Sequence, residues 1–464
     1  MGYFSRIQKD DEPLTPVGRL FSRRELYQIM NCAVTIDGPI DVELLKAELA
    51  SSAFTRLPRF TSLFRRHPRT GREFWRKTGL VLDQHVKVID EDYQLCDNVN
   101  DYLADLAVSC PLPTDKPLWE VHILKSHNCI VFRVHHSLAD GMSFMSLLQS
   151  LFGGISKPAA NRRKSVATTT KKKSFFELIK MAWFTLIFVI EFILRCLFVK
   201  DKKTVVTGGD GVQLWPRKLA TASFTFEDMN IVKKSVLPNA TINDVMLGVL
   251  SSGLSEYMDL HSPNATREGQ KMTVVVMVNL RSVTGIPEIS DLMKADSRSG
   301  WGNKISFMLH PIQFHKPKED QSDPLLQLKM AKASMDRKKL SKVARLSYIV
   351  GNLAKTFFGP NVATWLLYRM TCNTTFAFSN IVGPSQEVTL LGKRVTLLKL
   401  SVSSVPHAMT IHMLSYNGKA EMQILVAKDI IPDPEILAKC FEDALQRMKK
   451  AAIGSSEAYE RLLC

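Results

Sequence analysis

Apolar positions along this chain recur with two different periods. Short β-branched runs mark strands: Ile130–His136, TVVVMVNLR at 273–281, ISFMLHPIQF at 305–314 and ILVAKDII at 424–431. Longer stretches with a helical period cover Val42–Ser51, Asp323–Lys339 and Asp433–Lys450, the last opened by Asp433-Pro434 as cap and first turn. The alternation predicts a mixed α/β (α+β) fold. No internal repeat or low-complexity block stands out.

Two stretches break the pattern. From 156 to 173 the chain is polar, basic and free of any apolar period, which predicts an exposed linker. Phe175–Val199 follows, and within it Met181–Val199 is a run of 19 residues interrupted by Glu191 and Arg195. Three readings stand for this segment. A transmembrane helix has the length, but each charge costs about 3 kcal/mol at mid-bilayer unless the two pair at their i,i+4 spacing. An interfacial helix fits the flanking Lys171–Lys173 and Lys200–Lys203. The third reading is a buried helix between domains. The organisation predicted is an N-terminal half at 1–155, a basic linker with an apolar helix at 156–210, and a C-terminal half at 211–464.

Composition narrows the class. With 464 residues, 45% hydrophobic and 23% charged, the chain is too long for one ordinary core and too apolar for disorder. It is too polar for a polytopic membrane protein. Eight cysteines are scattered singly with no C-x-x-C, so no zinc or dithiol site is signalled. The polar start shows no secretory signal, which predicts a reduced, cytosol-facing location; Arg6 replaces the hydroxyl residue that myristoylation needs. The net charge of +16 is local. Residues 51–80 hold eight Arg and Lys against Glu73, and 156–203 hold twelve against Glu177, Glu191 and Asp201, which together account for the whole excess. The first window could meet phosphates, an anionic membrane or solvent; no nucleic-acid motif accompanies it, so no nucleic-acid partner is expected.

Candidate chemistry lies in Ile130–Leu148, IVFRVHHSLADGMSFMSLL. As a strand it places Phe132, Val134 and His136 on one face and Val131, Arg133 and His135 on the other. Ser137–Ala139 turns the chain, and Asp140-Gly141 can cap a helix. An imidazole that titrates near neutrality, at a strand end, suits proton removal from an alcohol. His407 and His412 lie five apart without an acidic companion, so structural roles rather than a metal site are expected. Asn239, Asn264 and Asn373 match the glycosylation acceptor, which means little without a signal peptide.

His135-His136-Ser137-Leu138-Ala139-Asp140-Gly141 resembles the HHxxxDG motif of the CoA-dependent acyltransferase and condensation superfamily. Pro117-Leu118-Trp119, Asn243-Asp244, Asn279-Leu280-Arg281 and Phe378-Ser379-Asn380-Ile381-Val382-Gly383-Pro384 resemble, in that order, the wax ester synthase/diacylglycerol acyltransferase family. LTPVGRLF, Trp301-Gly302-Asn303, PHAMTIHMLSYNGK and IPDP are similar to its plant-type bifunctional members. The resemblance covers residues 12–450. It implies two similar halves around a central tunnel, and direct transfer of a fatty acyl group from acyl-CoA to a long-chain alcohol or diacylglycerol. Acyl-CoA is then a substrate, and neither a resident cofactor nor a metal is implied. The implied location is the cytosol-facing endoplasmic reticulum membrane, with the plasma membrane as the alternative.

By that resemblance His136 is the general base, in a catalytic set with His135, Asp140, Gly141 and Asn243. Arg281 is the implied partner of Asp140, and Pro117, Leu118, Trp119, Ser379 and Asn380 are implied at the substrate. Strand alternation gives His135 a packing role. Asn243 reads equally as a donor to substrate or as part of a helix cap. Two competing readings remain: a soluble-type acyltransferase of small alcohols, whose D-F-G-W-G motif is missing here, and a non-catalytic lipid-binding protein of the same fold.

Overall fold

The computed structural model of the chain describes residues 8–463 apart from 90–97, 109–110, 155–173, 237–239, 264–269, 282–284, 294–300, 315–322, 341–342 and 404. The basic linker at 156–173 and the acceptor asparagines Asn239 and Asn264 therefore lie outside the described residues.

Two six-stranded sheets organise the molecule. The first runs Thr389–Leu390, Lys393–Val402, Ile29–Ile36, Cys129–His135, Trp119–Leu124, Val86–Val88. The second runs Ile305–Gln313, Lys271–Asn279, Phe376–Ile381, Met409–Tyr416, Lys419–Ala427, Arg217–Thr225. A halving at 155 and 211 thus misses one exchange. Lys393–Val402, from the C-terminal half, pairs antiparallel with Ile29–Ile36 and completes the N-terminal sheet. Backbone hydrogen bonds between halves make this crossing a permanent joint, because each strand edge left unpaired would carry unsatisfied N–H and C=O groups.

Cys129–His135 is central in its sheet and buried along its whole length. Ile130, Phe132 and Val134 enter the main core with Leu45, Leu49 and Phe144. On the other face Cys129 and Val131 meet Tyr102, Leu103 and Leu106 of the helix Val99–Leu106. Arg133, also on that face, is buried against Glu120, which in turn binds Lys87, Lys116 and His122. A strand covered on both faces cannot slip register without parting the buried Arg133 from Glu120.

The second sheet packs one face on the helices Ile242–His261 and Pro434–Leu463. Its other face meets Phe175–Leu197 and Val343–Cys372 through Val275, Leu309, Ala377, Cys196 and Met370. Phe175–Leu197 is therefore a surface helix. Among the described residues no helix is long and apolar enough to cross a membrane. The expected Glu191–Arg195 pair does not form either. Glu191 faces Lys338 at 3.6 Å, and Arg195 bonds Asp201, a carboxylate fixed by the Thr273 amide at 2.6 Å and by Thr375 Oγ1 at 2.7 Å. Glu191 is thus tied to the helix Leu326–Leu340 and Arg195, through Asp201, to the sheet, which leaves the exposed side of residues 182–194 apolar.

The described cysteines Cys32, Cys129, Cys196, Cys372 and Cys440 are buried free thiols. Several histidines are buried as neutral rings. Burial pushes His85 down to about 4, and His310 and His407 to about 3. Each folded value lies below the ordinary 6.5, so the unfolded chain binds more protons as the pH drops. Their contribution is intact above pH 6.5 and is progressively lost below it, until the native rings protonate near pH 4 to 3. Urea unfolding at pH 7.5 and pH 5 is expected to show a loss on the order of 1 kcal/mol for each of these rings. A midpoint that does not move would refute their buried neutral state.

Candidate active site

The motif strand ends at His135, and the chain turns through Ser137–Ala139 into the helix Gly141–Gln149. Asp140 is its N-cap: Oδ1 accepts from the Ser143 amide at 2.9 Å. Asp140 Oδ2 accepts from Arg281 Nη1 at 2.6 Å and from the Lys304 amide at 2.9 Å. Arg281 Nη2 donates to Ser143 Oγ at 2.9 Å and to the Gly302 carbonyl at 2.6 Å. Both charges are fully buried, at 1% and 0% side-chain exposure. Asp140 is thus a structural clasp across the two halves.

Residues 301–304 close over the motif loop. Trp301 Nε1 donates to the Leu138 carbonyl at 2.9 Å, and Gly302 turns at φ +103°, a region that favours glycine. Asn303 holds His136 from two sides. Its Nδ2 donates to the His136 carbonyl at 2.7 Å, so its Oδ1 faces His136 Nδ1 at 3.0 Å. An amide oxygen only accepts, so Nδ1 carries the proton and Nε2 keeps the lone pair. Burial depresses His136 below the ordinary imidazole value, against the nearby Asp140 and the Asn303 bond, which favour the charged form. The ring is neutral at pH 7, with a basic Nε2. Phe21 packs on it at 4.2 Å between centroids.

His135 has the opposite arrangement. The Ser137 amide donates to its Nδ1 at 3.1 Å, which puts the proton on Nε2, and burial pushes it to about 3. It packs on Tyr27 at 4.6 Å and serves the loop, not the cavity.

His136 lines an internal cavity with Phe21, Gln28, Met30, Gly141 and Met142 on one side. On the other, Met277, Asn279, Ser379, Asn380, Thr410 and His412 come from the second sheet. Gly141 lets this wall approach closely, since a Cβ there would stand 2.7 Å from Ile381 Cδ1 and push that side chain aside. A neighbouring apolar cavity of about 140 Å³ shares Phe21, Gln28, Val275, Met277 and Ile305 with it and reaches Leu366, Met370 and Phe192. The two cavities adjoin along these shared residues, and the second lies beneath Phe192 of Phe175–Leu197.

Other sequence candidates are placed elsewhere. Pro117, Leu118 and Trp119 are buried in the core: Trp119 stacks on His85 at 4.1 Å and donates to the Phe60 carbonyl at 2.9 Å, so this motif shapes the strand before the site. Asn243 is exposed and outside the cavity lining, because Thr241 caps the helix there; its Oδ1 accepts from Asn380 Nδ2 at 2.7 Å and steadies a cavity residue. The basic window at 51–80 is partly committed to ion pairs, since Arg59 pairs with Glu12 at 2.6 Å, Arg66 with Glu73 at 2.5 Å and Arg76 with Asp11 at 2.7 Å, while Arg56, Arg69, Arg72 and Lys77 are exposed. His407 is structural, bonded to Thr374 Oγ1 at 2.9 Å, whereas His412, expected to be structural too, faces the cavity. Asn303 and Thr410 lie in stretches that carry the family resemblance, but no site role was read for either, because their positions against the cavity and His136 exist only in the folded chain. Among the described residues no cluster of His, Cys, Asp or Glu could hold a metal ion.

Two sheets meeting at a histidine loop define a class of CoA-dependent acyltransferase and condensation folds. A wax ester synthase/diacylglycerol acyltransferase from Marinobacter aquaeolei VT8 superposes with a TM-score of 0.58 at 14% identity, over 95% of this chain and 99% of that one. The starter condensation domain of rhizomide synthetase RzmA in complex with C8-CoA gives 0.54 at 12% identity, over 96% and 95%. Sequence likeness goes further. Residues 40–184 match the wax ester synthase/diacylglycerol acyltransferase catalytic domain, and 301–449 match the WS/DGAT C-terminal domain. Wax ester synthase/diacylglycerol acyltransferase 5 of Arabidopsis thaliana is 32% identical over 96% of this chain and 94% of its own length; number 4 is 32% identical over 96% and 91%. The chain belongs to the wax ester synthase/diacylglycerol acyltransferase family and is an acyltransferase.

Removing Asp140 leaves the buried Arg281 uncompensated. Asp140→Ala is expected to cost about 3–5 kcal/mol in urea unfolding, and Arg281→Ala a similar amount. A double variant should cost less than the sum, and full additivity would show that the clasp does not couple the halves.

Proposed function

We propose that the enzyme transfers a fatty acyl group from acyl-CoA to the hydroxyl of a long-chain alcohol or diacylglycerol, with His136 as general base. The observation that carries this reading is the neutral His136 ring, oriented by Asn303 in a cavity that adjoins an apolar one. His136 Nε2 takes the hydroxyl proton as the acceptor oxygen bonds the thioester carbonyl carbon. The carbonyl electron pair moves onto oxygen and then returns, which breaks the C–S bond. The departing thiolate takes the proton from His136, and ester and CoA leave with every proton accounted for. No resident cofactor enters this sequence. The adjoining apolar cavity suits aliphatic chains and supports long-chain substrates over small alcohols.

Substituting His136→Ala is expected to lower ester formation by about 10²–10⁴-fold while the urea midpoint holds. Labelled acyl-CoA offered with fatty alcohols, diacylglycerol and small alcohols identifies the acceptor. Turnover with small alcohols alone, or undiminished activity in the variant, would refute the reading.

The same proposal places the enzyme on a membrane surface, on the cytosolic face of the endoplasmic reticulum. Trp183, Leu186, Ile187, Ile190, Ile193 and Leu194 form an exposed apolar stripe on Phe175–Leu197, with exposed Lys200, Lys202 and Lys203 just beyond. Such a stripe beside cations suits shallow insertion among anionic lipids. The chain is expected to float with phosphatidylcholine vesicles containing phosphatidylserine, and less with phosphatidylcholine alone. Trp183→Glu with Ile187→Glu should keep it in the soluble fraction. Equal flotation of the double variant would place the attachment elsewhere.

A further inference from the structure

The wall facing His136 carries polar atoms that the protein itself does not use. Strands Phe376–Ile381 and Met409–Tyr416 run parallel, with Ala377 opposite Thr410 and Ser379 opposite His412. Alternate residues share a face, so Ala377, Ser379 and Ile381 line the cavity together with Thr410 and His412. His412 Nδ1 and Thr410 Oγ1 are both buried there without a hydrogen-bond partner. Such atoms cost about 1–3 kcal/mol each when left unpaired, and they persist where something else supplies the bond.

We propose that His412 donates a ring N–H hydrogen bond to the thioester carbonyl oxygen of the acyl group, with the Thr410 hydroxyl beside it, and so stabilises the oxyanion formed on attack. This assignment rests on the acyl-transfer reading above. The base and the oxyanion donor come from opposite sheets, so the carbonyl carbon lies between them, as attack by a deprotonating hydroxyl requires. Burial and the neighbouring His136 push His412 down to about 4, so at neutral pH it is a neutral donor and a poor competitor for the acceptor's proton. When the acceptor's O–C bond forms, its proton passes to His136 and the carbonyl pair to the oxygen that His412 faces. When the C–S bond breaks, that pair returns, and His412 keeps its own proton throughout.

The test uses His412→Ala, His412→Gln and Thr410→Val in the full chain. His412→Ala is expected to lower kcat about 100-fold, with KM for acyl-CoA nearly unchanged and the acid limb of the pH profile in place. His412→Gln, which keeps an N–H donor, should recover at least about tenfold, and Thr410→Val should lose about tenfold. Parental kcat in His412→Ala, or a loss confined to KM, would overturn the proposal. Infrared spectra of carbonyl-labelled acyl-CoA, bound without acceptor, decide it independently of turnover. The bound thioester stretch should fall to lower frequency with the parent chain and not with His412→Ala; an unshifted stretch with the parent overturns the donor role. A parent that binds acyl-CoA with a shifted stretch yet acylates no acceptor refutes the reaction while upholding this contact.

Discussion

The Asp140–Arg281 pair is the interaction on which the site depends. It is buried at the junction of the two halves, and each of its polar atoms is committed to a neighbour: the Ser143 amide and hydroxyl, the Gly302 carbonyl and the Lys304 amide. A buried ion pair gains little over an apolar one of the same shape, so its value here is geometric. It fixes the 301–304 segment against the motif loop, and that segment presents Asn303 to His136. The protonation pattern of the base follows from a clasp made by other residues.

Two adjacent histidines therefore differ in tautomer and in what they face. His135 points into the interior, takes its hydrogen bond on Nδ1 and packs on Tyr27. His136 lies one residue past the strand, donates its Nδ1–H to Asn303 Oδ1 and keeps Nε2 free of that bond in the cavity that it lines. Burial keeps both neutral at pH 7, but only one has a basic nitrogen where substrate can reach it. The opposite wall, from the parallel strands of the second sheet, supplies hydroxyl, amide and imidazole groups against that base.

Phe175–Leu197 shows how charge and apolar surface divide a helix. Glu191 and Arg195 would oppose lipid contact if they faced outward; instead Lys338 and Asp201 receive them on the inner side. Phe188 adds to this by packing under the Lys338 ammonium at 3.8 Å. The outer side is left as a continuous apolar stripe, while the inner side, through Phe192, roofs the cavity that adjoins that of His136. One helix thus borders both the proposed lipid surface and that apolar cavity.

Strand periodicity at Ile130–His136, the helical spacing after Asp140 and the run at Phe175–Val199 were legible along the chain, because hydrophobic period and capping act within a few residues. So was the family, since HHSLADG and the motifs around it are strings of neighbours. Partnerships were not. Nothing local ties Asn303 to His136, or separates Trp119 in the core from Ser379 on the cavity wall. Nor does anything local send Glu191 to Lys338 rather than to Arg195, or strand Lys393–Val402 into the N-terminal sheet. His407 and His412 look alike in sequence, yet one is bonded to Thr374 and the other faces the cavity. The sequence by itself determined the elements, the reactive side chain and the family; tertiary structure decided which nitrogen is basic, which face is buried and which polar atoms stay unpaired. The reason is range: backbone preference and hydrophobic period are set by adjacent residues, whereas desolvation and hydrogen-bond partnership depend on groups brought together from more than a hundred residues away.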